Sequence, residues 1–195
     1  SLQPDGKLRI DVVERIVAYF PNEYTNHGIE RTLNGTYGTV DIELSDFRVS
    51  DATGTPLQVS ERTDGRGGVT LRIGDPYRYV HGQVTYVIRY TIGNAMVEVP
   101  SRGVQEIYLD VNGLGWLQEF DSVTAVVHVP SGLADRLTGE YACYRGPSGS
   151  TERCPMTRQG GEFTVAGGAL GPKQTVTFAI GFTAAIGVSC TKKCD

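Results

Sequence analysis

With 195 residues, the chain has room for one large domain or two small ones. Hydrophobic residues make up 39% and charged ones 21%, which is ordinary for a folded globular protein and unlike a disordered one. A net charge of -4, with no run of four or more Lys and Arg, argues against non-specific nucleic-acid binding and against a polybasic membrane-surface segment. No stretch reaches the ~18 apolar residues of a membrane-spanning helix. The nearest, residues 178–188 (FAIGFTAAIGV), is too short and alternates like a strand.

In chain order, residues 7–20 (KLRIDVVERIVAYF) predict a first strand. Leu8, Ile10, Val12, Ile16, Ala18 and Phe20 share one face by period-two alternation, with Glu14 set among them. A carboxylate in an apolar row must find a partner or be neutralised, because an unpaired buried charge is costly. Arg31, in the Gly28-Ile29-Glu30-Arg31 segment, is the natural partner, since its planar fork can satisfy both carboxylate oxygens. The pair is expected to be structural, tying the second segment to the first strand. Residues 37–49 follow as a strand with Val40, Ile42 and Leu44 on one face.

Residues 57–62 and 69–73 read as a hairpin across 63–68 (TDGRGG), where Asp64-Gly65 and the glycines after it supply positive-φ positions. Gly74-Asp75-Pro76 turns the chain out of the second strand. The best-specified strand comes next, with Val84, Tyr86, Ile88, Tyr90 and Ile92 on one face and Thr85, Val87, Arg89 and Thr91 on the other. Residues 105–111 and 122–129 alternate again, separated by an Asn112-Gly113-Leu114-Gly115 turn that delivers Trp116. Residues 131–137 allow one short helical turn. Residues 139–144, 162–165 and 174–182 complete the strands.

Strands every ten to fifteen residues, with no long amphipathic helix between them, predict an all-β fold. The expected form is an antiparallel β-sandwich, immunoglobulin-like or jelly-roll-like, with little or no helix. No linker divides the chain, so residues 1–195 are read as one domain.

The four cysteines lie in the last third and allow three pairings. The local ones, Cys143–Cys154 and Cys190–Cys194, are favoured because each closes a polar loop with little core to hold it. Spacings of ten and three intervening residues do not match the paired CxxC of zinc ribbons. Persistent disulfides imply an exported protein.

Catalytic signals are absent. His27, His81 and His128 belong to no HExxH or HxH spacing, and there is no GxSxG elbow or P-loop. Ser148 and Ser150 sit in the cysteine loop with no His or Asp tied to them. Asp110-Val111-Asn112-Gly113 echoes the start of a calcium loop but lacks its last glutamate, so an Asx-stabilised turn is the preferred reading. No metal or cofactor is expected. Tyr77, Tyr79 and Trp116, with Tyr108, are candidates for a sugar-stacking platform, against the more usual role of aromatics in core or edge packing.

Asp5-Gly6, Val12-Val13-Glu14, Gly28-Ile29-Glu30-Arg31, residues 72–75 (RIGD), residues 85–90 (TYVIRY) and Asn112-Gly113 with Trp116 occur in that order. Together they resemble the YciQ-like predicted membrane proteins, a bacterial family known as a domain of unknown function. Members of that family often carry D-E-L-Y-W where this chain has Gln105-Glu106-Ile107-Tyr108-Leu109. The resemblance covers about residues 5–130 and leaves the cysteine-bearing residues 131–195 less certain. It implies an extracytoplasmic β-rich domain, anchored on the outer face of the membrane. The resemblance also implies a signal peptide and membrane spans in the full protein; residues 1–4 show no basic or apolar leader pattern of their own. The expected function is a non-enzymatic binding or assembly module at the envelope, with an envelope protein or glycan as partner. The alternatives are a carbohydrate- or cell-wall-binding module and a hydrolase with an unrecognised site.

Overall fold

A computed structural model describes residues 1, 3, 7–38 and 40–183. Cys190 and Cys194, Asp5-Gly6 and the end of the 178–188 stretch lie outside them. The chain forms two compact units, residues 9–94 and residues 1–8 with 95–195. Strands dominate both, all ladders are antiparallel, and the fold is all-β.

The 9–94 unit holds β1 (Ile10–Phe20), β2 (Ile29–Leu33), β3 (Thr36–Tyr37), β4 (Val40–Asp41), β5 (Glu43–Ser50), β6 (Val59–Thr63), β7 (Val69–Ile73) and β8 (Gly82–Gly93). They form three-stranded sheets in the orders β1-β8-β5 and β2-β7-β6, with β3-β4 as a small ribbon. Each larger sheet is built on a central strand that carries its most buried residues. On β8 these are Tyr86, Ile88, Tyr90 and Ile92, and on β7 they are Val69, Leu71 and Ile73. The alternation read in the sequence is therefore real burial, since period two puts one set of side chains under the sheet. β1 repeats it without a break, pairing with β8 from Ile10↔Ile92 to Phe20↔Gly82.

Although β7 and β8 are consecutive, the turn between them does not close a hairpin. It carries the chain from one sheet to the other. Gly74 (φ 134°) and Gly28 (φ 144°) face each other at this crossing. A Cβ on Gly28 would run into the Ile73 carbonyl, and one on Gly74 into the His27 carbonyl, so both positions need glycine. Asp75 then caps the turn by accepting the Tyr77 N–H at 2.9 Å.

Two expectations shift in detail. The strand expected over 37–49 is broken into β3, β4 and β5: the Ile42 N–H leaves the ladder for the Gly35 carbonyl, and Asp46 at φ 59° makes a bulge between Ser45 and Arg48. In the β6–β7 hairpin the positive φ falls on Gly67, while Asp64 holds the loop by accepting the N–H groups of Arg66 and Gly68 at 2.8 Å.

The other unit holds β9 (Met96–Val99), β10 (Val104–Asp110), β11 (Phe120–His128), α1 (Ser131–Ala134), β12 (Leu137–Gly146), β13 (Glu152–Arg153), β14 (Met156–Gln159), β15 (Glu162–Leu170) and β16 (Thr175–Thr183). A five-stranded sheet runs β13-β12-β16-β10-β9, and a three-stranded one β11-β15-β14. β16 lies at the centre and is buried along all but its last residue, so both its apolar row, Val176, Phe178, Ile180 and Phe182, and the intervening Thr175, Thr177 and Ala179 are covered. Phe163 and Val165 of β15 are buried, and Phe163 meets Tyr141 of β12 edge-on at 5.3 Å. Side chains of the two sheets thus meet, an arrangement compatible with a β-sandwich.

The Tyr86 hydroxyl is buried and has no hydrogen-bond partner among the described residues. Burial also pushes its pKa up to about 12. A buried unmatched hydroxyl costs roughly 1–3 kcal/mol, so Tyr86→Phe is expected to leave stability unchanged or raise it by about 1 kcal/mol in urea unfolding. A clear loss would mean that the hydroxyl has a partner in solution.

Candidate functional site

Glu14 and Arg31 are brought together between the two larger sheets of the 9–94 unit. Glu14 points inward from β1 and Arg31 from β2, beside Leu71 of β7. The guanidinium Nε and Nη2 donate to the two carboxylate oxygens at 2.8 and 2.7 Å, a fork-to-fork pair. Arg31 Nη1 donates to the Thr32 carbonyl at 2.6 Å. The Tyr90 hydroxyl adds a third bond to Glu14 at 2.6 Å. The arginine side chain is 3% exposed and the glutamate 13%.

Burial alone works against the Arg31 charge. The facing carboxylate outweighs it and holds the guanidinium protonated more firmly than an ordinary arginine. Burial, followed by the negative charge of Glu14, pushes the Tyr90 hydroxyl well above its usual range. This cluster fixes geometry, and no group of three or more His, Cys, Asp or Glu that could hold a metal ion is found among the described residues. Tyr90 was not foreseen as a member. The signal was available: an inward-facing tyrosine needs a partner for its hydroxyl, and a buried glutamate is one.

The aromatic candidates divide between the two units. In the 9–94 unit, Tyr77 is 91% exposed and Tyr79 is 46% exposed. Tyr79 sits in a ring cluster with His27 at 4.4 Å and Tyr24 at 5.5 Å, and Tyr24 also meets His81 at 5.2 Å. The cluster forms because the loop after β1 clasps the loop before β8. Val80 N–H donates to the Asn26 carbonyl at 2.9 Å, and His27 Nδ1 lies 3.0 Å from the Arg78 carbonyl oxygen. His27 and His81, distant in sequence, thus reach one surface. His128, in the other unit, is exposed as its strand phase predicts, 3.2 Å from Glu162.

Trp116 lies in the other unit. It is half-buried, meets Phe120 edge-on at 5.4 Å, and donates its indole N–H to the Asn112 carbonyl at 2.8 Å. Asn112 is the clamp of this corner. Its Oδ1 accepts Val176 N–H at 2.9 Å and Thr175 Oγ1 at 3.2 Å, and its Nδ2 donates to the Gln174 carbonyl at 2.9 Å. Gly113 turns behind it at φ 74°. Asp110 accepts the Thr177 hydroxyl at 2.6 Å. The Asn112 side-chain oxygen is thus engaged by two donors of β16, which is how an asparagine that organises a turn is used.

Cys143 and Cys154 form a disulfide with Cα atoms 5.0 Å apart. It staples β12 to the segment beyond β13, and the Cys154 N–H also donates to the Cys143 carbonyl. Both cysteines are buried. The polar loop between them, residues 147–151, is held at its two ends.

Motif residues of the sequence resemblance thus converge on structural tasks: Glu14, Arg31 and Tyr90 in the buried cluster, Gly28 and Gly74 at the crossing, Asn112 and Trp116 in the corner clamp. No curated protein and no solved structure matches the chain significantly. One family model does, described as the predicted membrane protein (DUF2207) N-terminal domain, and it matches residues 1–182. The match runs past residue 130 and takes in the stapled loop. The chain therefore belongs to the DUF2207 family of predicted membrane proteins, as its N-terminal domain.

Proposed function

We propose that the chain is a non-enzymatic binding or assembly domain displayed on the outer face of the membrane. The Cys143–Cys154 disulfide carries this reading, because such cross-links persist in oxidising compartments and are rare in reducing ones. Family membership supports a membrane setting, since the family is one of predicted membrane proteins, and no helix among the described residues is long and apolar enough to cross a bilayer. The bonds of the buried Glu14–Arg31–Tyr90 cluster, to one another and to the Thr32 carbonyl, fit a structural brace rather than a catalytic site.

The test is side-specific labelling of the full-length protein in cells. Tyr77 is almost fully exposed. A Tyr77→Cys variant should react with a membrane-impermeant maleimide on cells whose cytoplasmic membrane is intact. Labelling that appears only after that membrane is permeabilised would place the domain inside and sink the reading.

A further inference from the structure

We infer that the groove beside the stapled loop is a binding site for a neutral saccharide. This rests on the binding-module reading above and gives it a ligand class. The groove encloses about 450 Å³ on the face of the five-stranded sheet, within the size range of small-ligand clefts. Its floor is a row of side chains across three strands. Asp110 of β10 is opposite Thr177 of β16, which is opposite Tyr144 of β12. Tyr108, two residues before Asp110, extends the floor and is 41% exposed. Ser148 and Ser150 of the loop form the wall. None of these was singled out together in the sequence, because strand pairing, not sequence spacing, assembles them.

Charge decides the ligand class. An acidic ligand is disfavoured, since Asp110 lies in the floor. The Tyr108 hydroxyl is correspondingly held above its usual range, by burial first and then by Asp110. The nearest cation in the lining, Arg145, is already engaged. It donates to the Gly167 carbonyl at 2.7 Å and to the Ala169 carbonyl, and its Nε lies 3.4 Å from Glu152. A cationic ligand is disfavoured too, because the Arg153 guanidinium already sits over the Tyr144 ring at 4.5 Å. With one face of Tyr144 taken by Arg153, what the groove offers is the part-exposed Tyr108 ring for the apolar face of a pyranose and a border of hydroxyl and carboxylate groups for its hydroxyls. The disulfide keeps the wall in place without a ligand, which lowers the ordering cost of binding.

The experiment is calorimetric titration of the chain with maltotetraose, cellotetraose and chitotetraose tetra-acetate, with choline chloride and tetragalacturonate as charged controls. At least one neutral tetrasaccharide should bind. Tyr108→Ala should weaken that binding by about tenfold or more. Ser148→Trp, on an exposed loop position, should block the groove while the fold is kept. Tyr77→Ala, in the other unit, should leave affinity unchanged. Absence of binding by all three neutral probes would overturn the inference, as would stronger binding of choline or tetragalacturonate. So would neutral binding that survives both Tyr108→Ala and Ser148→Trp. Those results concern the groove alone; the impermeant-label result would stand apart from them.

Discussion

Replacing Glu14 with glutamine is expected to cost about 3 kcal/mol or more of stability, within the roughly 3–5 kcal/mol seen when one member of a buried ion pair is removed. The glutamine keeps the shape and a carbonyl acceptor, so packing is little disturbed. What is lost is the negative charge opposite a guanidinium that is 3% exposed and cannot give up its proton. Tyr90 keeps an acceptor, but a neutral one, and its bond weakens. The desolvation cost of Arg31 is then left without its main offset. Urea unfolding of the purified chain should register the loss. A Glu14→Leu, Arg31→Met, Tyr90→Phe triple variant, which also removes the hydroxyl that Glu14 accepts from, should recover most of it, because a buried pair exchanged for apolar groups of similar volume is often neutral or stabilising. If Glu14→Gln unfolds at the wild-type midpoint with the wild-type slope, the pair does not hold the two sheets together.

That pair was legible in the sequence for a physical reason. Period-two alternation put Glu14 on the inward face of the first strand, and a buried carboxylate demands a cation. The same alternation located β8 and β16. What alternation cannot reveal is pairing partners. It identified β7 and β8 as successive strands but not that they sit in different sheets, which depends on the close approach of Gly28 and Gly74. Short edge strands such as β13 and β14 carry too few residues for any period to register. The groove was illegible for the same reason as the sheet order. Asp110, Tyr144 and Thr177 are neighbours only because β10 and β12 both pair with β16.

The buried residues and the exposed ones divide the work. Glu14, Arg31, Tyr90, Gly28, Gly74 and Asn112 carry the resemblance to the family, and each has its polar groups or backbone committed inside a unit. A residue in that position can specify a fold without contacting a ligand. Under the proposed binding role, recognition falls to side chains that the fold leaves open, namely the loop walls and the outer sheet faces.

The second large effect belongs to one of those walls. Removing the Cys143–Cys154 cross-link is expected to lower the stability of the 95–195 part of the chain by about 3 kcal/mol, the entropic value for a closed loop of this size. The two cysteines are 11 positions apart in sequence. Reduction and mutation should differ in an informative way. A reducing agent keeps both sulfur atoms in the core and removes only the constraint on the unfolded chain. A Cys143→Ala, Cys154→Ala variant also loses the packing of Cys143, which is 1% exposed. The double variant should therefore be less stable than the reduced wild type, and both less stable than the oxidised protein, in urea unfolding under matched conditions. Equal midpoints for the oxidised and reduced protein would mean that the cross-link does not constrain the unfolded chain. The wall of the groove would then owe its stability to β12–β13 pairing, Tyr144 against Arg153 and Arg145 against Glu152, with the Cys154 N–H bond to the Cys143 carbonyl beside it.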